Sequence, residues 1–144
     1  MNYLNIKWDK PNDIPKQLSE EVDEMLRIDM TDLKGDLMRV LHDDAQIIKH
    51  CYKLSIAISE AEIELKKVAN SAIHFYNFES QRKLTATQIQ MAIKNDVDIA
   101  EEEHKINILR AQLSFFEEIQ KQLKQKSWNI KTIIDWEIFT QGNK

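Results

Sequence analysis

The sequence predicts an all-α protein: a long antiparallel helical hairpin with short flanking helices, assembling into a homo-oligomeric helical bundle. Three observations carry this. The 144 residues include only two glycines and two prolines, and sheet proteins need both for their turns. The chain is rich in Glu, Lys, Gln, Ile and Leu, most of which favour helix. Apolar residues then recur in steps of four and three at Ile47, Cys51, Leu54, Ile58, Ala61, Leu65, Val68, Ala72 and Phe75. That is a heptad seam, and one helix cannot bury such a seam alone.

The elements are taken in chain order. Residues 1–15 read as an extended arm, because Pro11 and Pro15 stop a helix from running through them. Tyr3 and Trp8 are its docking side chains. The remaining residues, 16–144, read as a single helical domain. A short helix is expected from Lys16 to Leu26. RIDMTDL, residues 27–33, is a break and a new start, with Thr31 or Asp29 as the cap. A helix begins at Asp32 and is weakened at Gly35; near 42–44 it either breaks again or continues. The seam from Ile47 implies a helix of at least ~42 Å at 1.5 Å per residue. NFESQRKLT, residues 77–85, is the turn. Thr85 or Thr87 can cap the next helix, with a second start at Asn95 or Asp96. The last long helix shows Ile99, Ile106, Leu109, Leu113, Phe116 and Leu123 in one seam, interrupted at Gln120. A break is expected at 126–129. A terminal helix over 129–141 then carries Ile130, Ile133, Ile134, Trp136, Ile138 and Phe139. Ile56, Ile63 and Phe115 widen the apolar surface beyond what one hairpin covers, and this favours an oligomer.

The net charge of −4 does not advertise a nucleic-acid binder, but the charge is uneven. Residues 1–46 hold six Lys/Arg against eleven Asp/Glu, whereas residues 105–144 hold seven against four. An anion site therefore belongs in the last forty residues or near 66–83. A lone cysteine, Cys51, suits a reducing cytosol. No apolar run approaches the ~20 residues of a membrane span, and MNYLNIKWDK lacks a signal-peptide core. A cytoplasmic protein with no membrane contact is the expectation.

Chemistry is sparse. With two glycines no glycine-rich phosphate cradle can form. Glu101 and His104 have the spacing of one di-iron ligand pair, but such sites need two pairs and two more carboxylates. Cys51 sits in the seam, where a structural thiol is the default. No catalytic residue, metal or cofactor is therefore expected. Two surfaces suit binding. One is Lys66, Lys67, His74, Phe75, Tyr76, Phe78, Arg82 and Lys83, where rings and cations interleave as they do in single-strand binders. Its plainer reading is a helix end, with Phe75 in the core and Tyr76 and Phe78 capping the bundle. The other is Lys121, Lys124, Lys126, Trp128 and Lys131, where lysines also complement a helix end.

Three stretches resemble the phage recombination mediator family, the UvsY type of the T4-like phages. RIDMTDL resembles the pattern that opens the family's shared region. LKKVANSAIHFY, residues 65–76, resembles its basic helix closing on an aromatic pair. KSWNIKTIIDWEIFTQG, residues 126–142, is similar to its ending. The order and spacing hold over residues 17–142. The resemblance implies a recombination mediator, not an enzyme: a ring-like homo-oligomer of about six or seven copies. It would bind single-stranded DNA, contact a single-strand-binding protein, and help a RecA-like recombinase load in homologous recombination and repair. It also implies DNA contacts near Lys66, Lys67, Tyr76, Arg82 and Lys83. Oligomer contacts would come from Trp128, Ile130, Ile133, Ile134, Trp136, Ile138 and Phe139. One departure stands out. Where the family carries Lys-x-Arg, this chain reads Asn70-Ser71-Ala72, and a glycine usual after the aromatics is missing. The alternative reading is a coiled-coil scaffold or adaptor without DNA affinity.

Overall fold

The computed structural model describes residues 2–79 and 83–142. A 3-10 turn, Asn2–Asn5, opens the arm. Next come helices α1 (Lys16–Leu26), α2 (Leu33–His74), α3 (Ala86–Lys94) and α4 (Val97–Gly142). A π-helical turn, Phe75–Glu79, ends α2.

Helices α2 and α4 pack antiparallel along the seam. Lys126 meets Asp36 at one end, His50 meets Phe116 midway, and Arg110 meets Glu62 at 2.7 Å further on. The arm and α1 cover only the first half of this hairpin. Trp8 packs edge-on against Phe115 with ring centroids 5.5 Å apart, and Leu18 and Val22 bury the inner face of α1. The foot is therefore a three-layered bundle, where Ile47, Leu54, Leu123 and Ile130 are buried. The far half lacks the arm and α1, and only the short α3 adds to the two long helices there. There Ile58, Leu65 and Val68 are only half-buried, because a two-helix contact covers one side of each.

Short polar side chains set the starts of α2, α3 and α4. Asp32, not Thr31 or Asp29, caps α2: its carboxylate accepts from the Gly35 N–H at 3.0 Å. Gly35 makes this fit, since a Cβ there would collide with the Asp32 carboxylate. Asp29 instead accepts from the Thr31 N–H and hydroxyl. Those two bonds, chiefly the hydroxyl's, hold its carboxyl below the usual carboxylate range. Thr85 and Gln88 form a reciprocal capping box at α3. Asp96 Oδ1 accepts from the Asp98 and Ile99 N–H groups and starts α4.

Of the two readings left open near 42–44, the helix continues. The break expected at 126–129 is absent, so 129–141 is the end of α4 rather than a separate helix. The cause is Lys126. It lies at a seam position between Leu123 and Ile130, is buried, and donates to Asp36 Oδ1 at 3.0 Å and to the Met25 carbonyl at 2.8 Å. Lys126 therefore cannot belong to a surface with Lys121 and Lys124. Asp36 Oδ2 in turn accepts from the Asp29 N–H at 2.8 Å.

This packing makes two outcomes testable. Lys126→Met removes the buried partner of Asp36 and leaves only the half-exposed Arg39 to balance that carboxylate, so it should cost about 3 kcal/mol, measured by urea unfolding. Adding Asp36→Asn should restore most of that loss. Burial, with Asp43 and Glu21 nearby, pushes the Tyr3 phenol up to about 12. Its neutral form therefore stabilises the fold fully below the ordinary value, and this contribution is lost as pH rises from 10 toward 12. Tyr3→Phe should flatten the alkaline limb of the stability profile.

Candidate nucleic-acid interface

The far end of the hairpin holds the candidate cations and rings. Lys66 and Lys67 are exposed on α2. Along the helix, Phe75 lies about 13 Å beyond Lys66 at 1.5 Å per residue. Phe75 is not core: it is 48% exposed. Its heptad position continues the seam, but α4 is only beginning at Val97, and a cleft lined by Asp98, Glu101 and Glu102 opens there instead of a packed contact. Phe78 is 77% exposed and leans on His74, ring centroids 5.1 Å apart. The π-helical turn shifts these side chains out of the α-helical register.

Tyr76 is the ring that is held. Its hydroxyl donates to Asp96 Oδ2 at 3.1 Å. That hydrogen bond, with smaller help from burial and Asp98, raises the phenol above its ordinary value. Asp96 therefore serves two ends at once, capping α4 and fastening the turn after α2. A cleft of about 530 Å³ opens beside it, lined on one wall by Val68, Ser71 and Ala72 and on the other by Asp98, Glu101 and Glu102. Neither Lys66 nor Lys67 lines it. The Asn70-Ser71-Ala72 stretch thus borders a carboxylate wall, while the lysines lie on another face of α2. Lys83 is exposed after the turn. Arg82 lies outside the described residues. The structure brings Lys66 and Lys67 together, places Tyr76 at the same end of the hairpin, and engages that tyrosine with the acid.

The other candidates separate cleanly. His104 and Glu101 are exposed, and no group of metal-ligating side chains occurs among the described residues. Burial, with Glu117 nearby, pushes the Cys51 thiol up, away from thiolate reactivity. No helix among the described residues is long and apolar enough to cross a membrane. Of the C-terminal residues, Ile130 is fully buried in the chain's own core and is unavailable to a second copy. Ile133 and Ile134 pack against the same core. Trp128, Trp136, Ile138 and Phe139 are exposed.

The sequence model of the family described as "Recombination, repair and ssDNA binding protein UvsY" matches residues 21–143. The chain belongs to the UvsY family. Its fold agrees with crystal structures of the bacteriophage T4 recombination mediator protein UvsY. One superposes with a TM-score of 0.77 at 17% identity, covering 87% of this chain and 97% of that chain. Two others, from different lattices, give 0.78 at 15% and 16% identity, covering 90% and 87% of this chain and 99% of the UvsY chain. No curated protein matches the chain by sequence. At this identity the likeness to UvsY is one of fold. The long hairpin is kept although few side chains are shared.

The Tyr76–Asp96 bond gives a direct test of how the turn is held. Tyr76→Phe should lower stability by less than about 1 kcal/mol, since the pair is solvent-screened. It should also raise amide exchange over 74–79 more than at the foot, read by hydrogen exchange.

Proposed function

We propose that this chain is a recombination mediator: a non-enzymatic, ring-like homo-oligomer that binds single-stranded DNA. It would help a RecA-like recombinase load onto DNA covered by single-strand-binding protein, in the host cytoplasm during phage recombination and repair. Family membership over residues 21–143 is the observation that carries this reading. The exposed Lys66–Lys67 pair, with the exposed rings of Phe75 and Phe78 further along the same end of the hairpin, supports it chemically. Cations meet phosphates while rings stack on bases. Lys83, and Arg82 by sequence, would extend the same end, with Tyr76 keeping the turn in place.

One copy offers few cations and a carboxylate wall that repels phosphate. Affinity must then come from repetition. If each copy presents its lysines on one rim, a strand that meets one pair meets the next at high effective concentration. Exposed Trp128, Trp136, Ile138 and Phe139 are the residues left to join copies.

Fluorescence anisotropy of a labelled oligo-dT strand tests this. Binding should weaken steeply with added salt, because releasing counterions into a concentrated salt solution gains less. Lys66→Ala with Lys67→Ala should weaken it at least ~10-fold, about 1.4 kcal/mol, without changing the oligomer's mass. Unchanged affinity would remove the site from these lysines. No binding by the wild type even at low salt would favour a scaffold instead.

A further inference from the structure

Helix α2 carries a second apolar stripe beside the seam it shares with α4. Leu41, Ala45, Ile48 and Tyr52 recur in steps of four, three and four, and all are exposed. Ile56 continues the stripe and is exposed too. Leu41 joins it to a groove of about 300 Å³ between α2 and α4, where Val40 and Leu123 supply apolar lining. Helix α1 lies along the other side of the hairpin, where its Met25 carbonyl and Asp36 share the Lys126 ammonium.

The charges around this stripe are mostly positive. Lys49 and Lys53 are exposed beside it on α2, and Lys124 and Lys131 line the groove from α4. None of the four has an ion pair among the described residues. Lys34 stands one heptad before Leu41 but lines a separate groove with Asp32 and Glu137. Lys121 is taken up by Glu118. The nearby acids are Glu117, close to Cys51, and Asp44. Asp44 lines the groove, and its Oδ1 is buried without a hydrogen-bond partner among the described residues. Beyond Ile56 the balance reverses at Glu60 and at Glu62, which Arg110 already pairs.

We propose that the Leu41–Ile56 stripe and its groove dock an amphipathic helix of a partner protein, apolar on one face and rich in carboxylates on its flanks. The inference rests on the mediator reading for its purpose, and assigns a face on which a second protein is held apart from Lys66 and Lys67. Side chains three and four apart are what a helix-binding surface presents. From Leu41 to Ile56 the stripe runs about 22 Å, or about four turns. The unpaired lysines select an acidic helix, because its flanking carboxylates meet them at the rim of the apolar contact. Asp44 adds an acceptor for one buried N–H or hydroxyl of the partner. The chain shows this mode of packing within itself. Helix α1 buries Leu18 and Val22 against the hairpin and carries Glu20, Glu21, Asp23 and Glu24. It cannot serve a second copy, because its apolar face is already buried at home. Two stripes set face to face would oppose Lys49 and Lys53 with the same lysines. A DNA strand would find Leu41, Ile48 and Ile56 where it needs rings, and Asp44 would repel its phosphates.

Fluorescence anisotropy on the full chain tests this with two labelled helical peptides of about four turns. Both carry Leu and Ile in the four-three pattern. One has glutamates on its flanks and the other has lysines. The acidic peptide should bind at least ~10-fold more tightly than the basic one. Ile48→Glu with Tyr52→Glu should weaken it at least ~30-fold, the loss expected for a hot-spot contact. Lys49→Glu with Lys124→Glu should reverse the preference between the peptides. All four positions are exposed, and circular dichroism and sedimentation check that each variant keeps its helix content and mass. Binding of neither peptide, equal binding of both, or binding that ignores Ile48→Glu with Tyr52→Glu overturns the inference. A fall in oligomer mass in that variant overturns it as well, since the stripe would then lie between copies. So does a Lys49→Glu, Lys124→Glu variant that loses oligo-dT affinity as far as the Lys66→Ala, Lys67→Ala variant does, since the face would then belong to DNA. In each of these cases oligo-dT binding by the wild type leaves the mediator reading standing. A wild type that ignores oligo-dT yet holds the acidic peptide on this stripe rejects that reading and supports the docking face.

Discussion

The buried ammonium of Lys126 holds three elements in register. It donates to Asp36 in the first turn of α2 and to the Met25 carbonyl, one of the last in α1. Carbonyls at a helix end lack an intrahelical partner, so one cation completes α1 while fixing α2 against α4. Asp36 passes the constraint on by accepting the Asp29 N–H, and Arg39 reaches Asp29, Asp32 and Asp36 from outside. A pair of apolar residues could fill the same space. It could not set the sliding position of two long helices whose seams repeat every seven residues. A charge that must meet one carboxylate admits one register.

That register decides what each end of the hairpin can do. With Lys126 opposite Asp36, the acidic start of α4 falls opposite Ser71 and Ala72, and the cleft there is lined with carboxylates. The lysines at 66 and 67 stand on another face. Positive and negative charge are thus separated around α2 and do not cancel in one place. The same register leaves Trp136 and Phe139 near the start of α2, exposed to solvent.

Much of this was legible in the sequence. The scarcity of Gly and Pro and the seam from Ile47 pointed to two long helices, and Pro15 and Leu26 bounded α1 where the structure has it. The RIDMTDL, LKKVANSAIHFY and KSWNIKTIIDWEIFTQG stretches pointed to the family. Three readings failed for physical reasons. Lys126 looked like a surface charge and a helix break, yet it continues the 116, 119, 123, 130 spacing. A lysine at a seam position is a demand for a buried acid, and Asp36 sits at the matching spacing between Leu33 and Val40. Phe75 looked like core because the heptad reaches it, but a heptad does not say where the partner helix stops. Ile130 was an oligomer contact by resemblance, and only the fold reveals which faces of that tail the chain keeps for itself. The Tyr76–Asp96 bond spans twenty positions and left no local pattern to read.

The foot is packed by the arm and α1, whereas the far end has only the short α3, which buries no residue of its own, and this grades the bundle's mechanics. Opening the foot means tearing out Trp8, Leu18 and Ile47 together, so local fluctuations there approach the global unfolding energy. At the far end a capped turn, one phenol and half-covered aliphatic side chains are all that must give, and segments so lightly packed open far more cheaply. The molecule is stiff where copies would have to lock at a fixed angle. It is compliant where a strand of irregular contour would have to be followed. On the proposed role, a compliant end would follow a strand whose contour changes, while the stiff foot held the copies in place.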